Sequence, residues 1–301
     1  MTREGSVRFR NFNTWYRIVG ERRDARRWPL LTLHGGPGAA HDCLEPLSAL
    51  ADDGREVIFY DQLGCGRSDR PHNPSMWTFD LFLEELACVR EALGLTDVHL
   101  LGLSWGGMLG LEYALRHPRG LRSLIVASAP ASNAEWMAEA ERLRRELPAN
   151  VQETLLKHEL AGTTESDEYT DAMLVFYRRH VCRSTPWPDP VARSMQNMMS
   201  NPEVYAVMNG PSEFHITGTF RDWSVADRLG EIDLPVLVTS GRYDECTPRI
   251  AATVTNGIPG AVGVIFEESA HFAHAEEPER YASVVRDFLE RVEGGVMENV
   301  D

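Results

Sequence analysis

The sequence predicts an α/β fold: a mostly parallel central sheet with helices on both faces and an inserted helical cap. Three observations predict it. Short apolar runs alternate with segments of helical period through residues 1–131, helical patterns alone fill 132–228, and the alternation resumes over 229–301. The expected division is therefore a first part of the core at 1–131, a cap at 132–228 and a second part of the core at 229–301.

Taken in order, Val7-Arg8-Phe9-Arg10 and Thr14-Trp15-Tyr16-Arg17-Ile18-Val19 alternate around Asn11-Phe12-Asn13, the pattern of an antiparallel hairpin. Leu30-Leu31-Thr32-Leu33 is a short buried strand. It runs into His34-Gly35-Gly36-Pro37-Gly38, too rich in Gly and Pro to continue a regular element. Asp42 to Asp53 predicts a helix, Glu56 to Tyr60 a strand, and Asp61 to Asp69 a Gly-punctuated turn that Asp61 and Arg67 are expected to hold together. Thr78 to Leu93 carries apolar residues at helical spacing and stops at Gly94. Val98 to Leu101 is a strand, the helix opening near Met108 is expected to end at Pro118, and Leu121 to Ala127 is another strand.

In the cap, helices are expected over Glu135–Leu147, Val151–Leu160, Glu168–His180 and Val191–Met199. Its bulky residues, Trp136, Tyr169, Phe176, Tyr177, Trp187, Tyr205 and Phe214, are expected mostly in the cap's own core. Leu234 to Gly241 and Ala261 to Phe266 restore the strand pattern, Glu277 to Val292 closes as a helix, and Gly294 to Asp301 reads as a frayed tail.

A formal charge of -15 argues against nucleic acid as a partner, because phosphate binding needs clustered Lys and Arg. The five Cys are scattered and lack metal-ligand spacing, which suits free thiols in a reducing cytoplasm. Met1 to Arg10 is charged without an apolar core, so no secretory signal is read, and no apolar stretch reaches membrane-spanning length. The expectation is a soluble cytoplasmic chain, monomeric or weakly oligomeric with the monomer favoured, with no membrane partner, no metal and no organic cofactor.

The chemistry concentrates at Gly102-Leu103-Ser104-Trp105-Gly106-Gly107. An apolar run, a Gly-x-Ser-x-Gly turn and a helix-forming segment in that order make a nucleophile elbow, with Ser104 on the strained turn. The five-residue pattern alone would arise by chance on the order of 0.1 times in such a chain, so its strand-and-helix context carries the assignment. The competing reading is a Gly-rich strand-to-helix turn with no chemistry. Gly36 N–H, on the loop after the first parallel strand, and Trp105 N–H are the expected oxyanion hole, each donor worth about 3 kcal/mol in a transition state. Asp244 and His271 each follow a predicted strand, in the order nucleophile, acid, base. His271 would take and return the Ser104 proton while Asp244 fixes its tautomer. His274 competes with His271 but lies nearer the final helix, and His34 is expected to brace the oxyanion loop.

The His34–Gly38 loop, the Asp61–Ser68 turn, the Gly102–Gly107 elbow and the pair Asp244 and His271 together resemble the proline iminopeptidase family of α/β-hydrolases. The resemblance covers nearly the whole chain. Met208-Asn209-Gly210-Pro211-Ser212-Glu213-Phe214 and Asp244-Glu245 make it closest to the branch of tricorn-interacting aminopeptidases and amino-acid amidases. It implies an α/β-hydrolase fold and a serine aminopeptidase that releases N-terminal proline or another apolar residue from short peptides or amides. It also implies that Glu213 and Glu245 bind the substrate's α-amino group, with Gly35 and Tyr205 counted among the substrate-binding residues. Leu63 departs from the basic residue that many relatives carry in the Asp61 turn. Relatives also cleave esters and lactones, so an esterase or lactonase with idle glutamates is the alternative. A non-catalytic ligand-binding member of the fold is a further one.

Overall fold

The computed structural model describes residues 1–294, and the tail expected from Gly294 onward lies, at 295–301, outside them. Its strands are β1 (Thr2–Phe9), β2 (Phe12–Gly20), β3 (Leu30–Leu33), β4 (Glu56–Tyr60), β5 (Val98–Leu103), β6 (Leu121–Ala127), β7 (Val236–Gly241) and β8 (Val262–Phe266). They form one sheet in the order β1-β2-β4-β3-β5-β6-β7-β8. The hairpin β1–β2 and the pair β2–β4 are antiparallel; all other pairs are parallel. Strands β3, β5 and β7 are buried at every position, as expected of parallel strands covered on both faces.

Helices α1 (Phe79–Ala92) and α2 (Trp105–Ala114) precede β6, and α3 (Asn133–Arg144), α4 (Ala149–Ala161), α5 (Asp167–His180), α6 (Asp189–Ser200) and α7 (Glu203–Met208) fill the stretch between β6 and β7. Helices α8 (Pro248–Gly257), α9 (Ala273–Glu276) and α10 (Pro278–Glu293) complete the chain. Side chains fix two of these starts: Thr78 Oγ1 accepts the Leu81 N–H at the head of α1, and Ser166 Oγ accepts that of Tyr169 at the head of α5. Where the chain leaves the sheet for α3 and returns after α7, its two passes are stitched together. Asn133 N–H donates to Trp223 O at 3.0 Å and Val225 N–H to Ala131 O at 2.8 Å.

Three expectations need correction. The stretch expected as a helix from Asp42 is a 3-10 helix, His41–Asp53, with Pro46 inside it; proline has no N–H to give to a regular α-helical ladder. Helix α2 ends at Ala114, well before Pro118, because His117 takes up positive φ. Helix α7 was not expected: six residues after Pro202 are too few to display a period.

Because β3, β5, β7 and β8 run parallel, the loops leaving their C-terminal ends meet along one edge of the sheet. Glycine lets two of these elements touch. A Cβ on Gly102 would stand 2.1 Å from Gly106 O, and one on Gly106 would stand 2.2 Å from Leu33 O. Helix α2 therefore packs backbone to backbone on the sheet beneath it, which brings Ser104 beside the loop that leaves β3.

Candidate active site

Ser104 sits between β5 and α2 with φ 54° and ψ -120°, a conformation that costs a non-glycine residue energy. Backbone bonds hold it there: its N–H donates to Ala127 O at 2.8 Å, and its carbonyl accepts from Gly107 N–H at 2.8 Å and Met108 N–H at 3.1 Å. Trp105 opens the helix, so its N–H has no acceptor within α2. The elbow expected from the sequence is present as a conformation.

His271 and Asp244 meet as expected. His271 Nδ1 donates to Asp244 Oδ1 at 2.8 Å, and the same oxygen accepts from Cys246 N–H at 2.8 Å. A proton held at Nδ1 leaves Nε2 as the basic nitrogen. Burial alone would lower the imidazole's pKa, but the charge and hydrogen bond of Asp244 outweigh it and carry the value above the ordinary 6.5. His274 is excluded as the rival. Its Nε2 donates to Cys43 O at 2.7 Å and burial pushes its pKa down to about 4, so it is a neutral structural histidine. His34, as expected, braces its loop: Nδ1 donates to Gly35 O at 2.9 Å.

The helical insertion reaches across both loops. Glu245 N–H donates to His180 O and His271 N–H to Val181 O, each at 3.1 Å. Glu276 accepts from Arg183 N–H at 2.7 Å and from Ala270 N–H at 2.8 Å, tying the segment after α5 to the loop that carries His271. The positions of acid and base thus depend on residues 180–183 as well as on the sheet.

A cavity opens against Ser104 and His271 and is bordered by Gly35, Gly36, Glu213 and Glu245. Met195, Met198 and Val181 supply much of its apolar wall. On the other side of Ser104 a second recess is lined by Met108, Trp136, Ile216 and Phe220. The two glutamates differ in support. Glu213 Oε1 accepts from the Tyr205 hydroxyl at 2.7 Å, whereas neither buried carboxylate oxygen of Glu245 has a hydrogen-bond partner. Burial raises the pKa of both; the charges of Glu213 and Asp244 push Glu245 well above the carboxylate range. Among the described residues, no lysine or arginine lines the cavity.

Gly35, Gly36, Ser104, Glu213, Glu245 and His271 thus converge, with Trp105 in the adjoining recess. The Tyr205 hydroxyl donates to Glu213 Oε1, so Tyr205 reaches the cavity through that carboxyl group, and of the cap aromatics Tyr177 borders the cavity directly. Cys43, Met195 and Met198 also line it without having been singled out. Nothing in their local pattern says which side of their helices faces inward, since tertiary packing decides that. Leu63 is buried and its N–H donates to Glu85, so the Asp61 turn is anchored without the basic residue it lacks. Asp61 accepts from the N–H groups of His41 and Arg67, as expected of a loop brace.

For metal, His41, Asp42 and Glu45 have ligand-like spacing among the described residues. The two carboxylates are engaged by Arg17, Arg193 and Asn197, and the group lines neither active-site space. What the cavity can do follows from its parts: a serine on a strained turn at the head of a helix, a carboxylate-oriented imidazole and a pair of buried carboxyl groups.

Comparison with known proteins agrees with this geometry. Residues 29–278 match the family model described as alpha/beta hydrolase fold. A proline iminopeptidase of Saccharolobus solfataricus is 41% identical over 96% of this chain and 93% of its own length. Among solved structures, that of VinJ superposes with a TM-score of 0.93 at 46% identity, covering 96% of this chain and 99% of that one. The proline iminopeptidase of Mycobacterium smegmatis superposes with a TM-score of 0.90 at 43% identity, covering 97% and 99%.

Proposed function

The chain belongs to the α/β-hydrolase fold family and, within it, to the proline iminopeptidases, and from that premise we propose a serine aminopeptidase acting through Ser104, His271 and Asp244. The observation that carries the reading is the unpartnered carboxylate of Glu245, beside Glu213, in the cavity that Ser104 and His271 border. Two buried carboxyl groups with no cation facing them are driven toward their protonated forms, and a ligand that brings a cation gives them the partner that lets them ionise. A protonated α-amino group supplies it, and the residue carrying that amine then presents its carbonyl to Ser104. The substrate is a short peptide or amino-acid amide with a free N-terminal proline or other apolar residue, whose side chain the apolar walls accept.

The reaction follows from these groups. His271 Nε2 takes the Ser104 proton as the serine oxygen attacks the carbonyl carbon, and Asp244 stabilises the imidazolium. The N–H groups of Gly36 and Trp105 receive the charge that develops on the carbonyl oxygen. Collapse breaks the C–N bond, His271 gives its proton to the departing amine, and an acyl-serine remains. Water then enters, His271 accepts its proton, and a second collapse frees the amino acid and restores Ser104. Gly35 shapes the cavity floor, and Tyr205 holds Glu213. The domain division at 131–132 and 228–229 is part of the same reading, supported by the paired backbone at 131–133 and 223–225. So are a monomeric state and a reducing, cytoplasmic location, the latter supported by five unpaired cysteines. Among the described residues, no helix is long and apolar enough to cross a membrane.

The test compares proline and leucine arylamides with their N-acetylated counterparts and with simple acyl esters. Free-amine arylamides are expected to turn over at least about 100-fold faster than the N-acetylated ones, the scale on which a buried charge left unpaired is felt. Equal turnover of blocked and free substrates would make this an esterase. Fluorophosphonate labelling that survives in Ser104→Ala would remove the nucleophile.

A further inference from the structure

The oxyanion donors come from two separate parts of the chain, and one buried side chain touches both. Gln62, just beyond β4, is fully buried. Its Oε1 accepts the Trp105 indole N–H at 2.8 Å, and its Nε2 donates to His34 O at 3.2 Å. Its backbone N–H donates to His34 Nε2 at 3.0 Å. That last bond fixes a tautomer. With Nε2 accepting, the His34 proton must sit on Nδ1, which lies 2.9 Å from Gly35 O and donates to it. The Gly35 carbonyl and the Gly36 N–H belong to one trans peptide plane and point opposite ways, so anchoring the carbonyl aims the N–H.

We propose that Gln62 is the positioning residue of the oxyanion hole: its side chain holds the seat of Trp105 through the indole and, through His34 O, the backbone that leads into the Gly35–Gly36 peptide, while its own backbone N–H fixes the His34 ring. The proposal rests on Gly36 and Trp105 being the oxyanion donors. Gln62 does not touch substrate. Its effect is felt where charge develops, because donors aimed wrongly still admit the ground state but lose hold on the tetrahedral anion. Rotation of the Gly35–Gly36 peptide would turn a carbonyl toward that anion, and the geometry leaves Gln62 and His34 as the brace against it.

The test is Gln62→Met, which keeps the length and burial of the side chain and removes its two side-chain hydrogen bonds, to the Trp105 indole and to His34 O, while the backbone N–H bond to His34 Nε2 remains. Two quantities are read beside the melting temperature: kcat and KM on proline arylamide, and inhibition by pyrrolidine-2-boronic acid, whose serine adduct is a tetrahedral anion, against inhibition by free proline. Expected is a fall in kcat of about 10- to 100-fold, part of what loss of a whole donor costs. Boronate affinity should fall in parallel, with KM and proline inhibition within about 2-fold. A kcat that is unchanged, or one that falls while boronate affinity holds, overturns the proposal. Should Gln62→Met fail to fold, Trp105→Phe deletes only the indole side of the brace and must show the same paired loss, smaller in size; an unaffected Trp105→Phe would equally overturn it. If the wild type neither cleaves the arylamide nor binds the boronate, the assigned reaction has failed and not the brace.

Discussion

Glu245 Oε1 stands 3.9 Å from His271 Nδ1, while Asp244 Oδ1, from the preceding residue, stands 2.8 Å away. The shorter distance is a hydrogen bond and the longer one is not. Adjacent carboxylates on one loop therefore have separate tasks: Asp244 orients the imidazole, and Glu245 is left free to meet a cation. The separation predicts how they fail. Glu245→Gln is expected to cut kcat/KM on free-amine arylamides about 100-fold or more while sparing kcat on a simple ester, because the base keeps its orienting acid. The same variant should melt higher than the wild type above neutral pH. Glu245 holds its proton above the ordinary range when folded, so stability is lost as pH rises past the unfolded value, and the amide removes that loss. Equal losses on both substrates, or a lower melting point at high pH, would show that Glu245 supports the loop instead of reading charge.

The pH profile of the base is predicted in the same way. Neutral imidazole is the active form, so activity disappears as pH falls through its pKa, and Asp244 has raised that pKa. On a neutral ester, whose own charge does not titrate, the acid limb of kcat/KM is expected above pH 6.5. In Asp244→Asn the plateau should fall by about 10⁴ and the limb should move to lower pH. A limb that stays in place in Asp244→Asn would mean that another group is titrating.

The elbow also makes a folding prediction. Gly106→Ala would place a methyl 2.2 Å from Leu33 O and 2.7 Å from Leu33 C, and backbone cannot move aside as a flexible side chain can. The expected cost is at the upper end for single substitutions, about 4 kcal/mol or more, read by urea unfolding or as loss of soluble protein. Gly260→Ala is the control. Its φ is positive, at 72°, but nothing lies within 4 Å of the new methyl, so it should cost only ~1 kcal/mol. Similar costs at the two sites would show that the contact with Leu33 yields to small shifts and that close packing does not govern Gly106.

Local signals and distant ones were not equally legible in this chain. Ser104 announces itself because strand, turn and helix are consecutive in sequence, and Asp244 and His271 follow because each leaves a strand of the same parallel sheet. Glu213 has no such signature. It lies in an irregular segment and is pointed out only by resemblance, until the fold turns it toward the cavity. Which cap aromatic borders the cavity was not legible, because Phe176 and Tyr177 are adjacent and both buried, and tertiary packing decides which of them meets the substrate space. Gln62 was passed over inside a turn read as scaffolding, since its partners are 28 and 43 residues away along the chain.

Glu85 offers the last test, in the same region. Its carboxylate accepts from Leu63 N–H at 2.9 Å and from the Thr14 hydroxyl, and so holds the residue next to Gln62. It is wholly buried, and burial pushes its pKa up to about 7 from an ordinary 4.5. Between those values the folded protein keeps a proton that the unfolded chain has already released. Stability attributable to Glu85 is therefore full at pH 4.5 and is lost progressively toward pH 7, leaving the ionised carboxylate as a standing cost above it. At about 1.4 kcal/mol for each of the two and a half pH units, that cost is ~3 kcal/mol. Glu85→Gln keeps one acceptor oxygen and does not titrate. Urea unfolding of the two proteins at pH 5 and pH 8 should show the variant gaining on the wild type by up to that amount between the two conditions, whatever its offset at pH 5. An offset that is the same at both pH values would mean that Glu85 is already ionised in the folded protein at pH 5, and that its hydrogen bonds offset its burial.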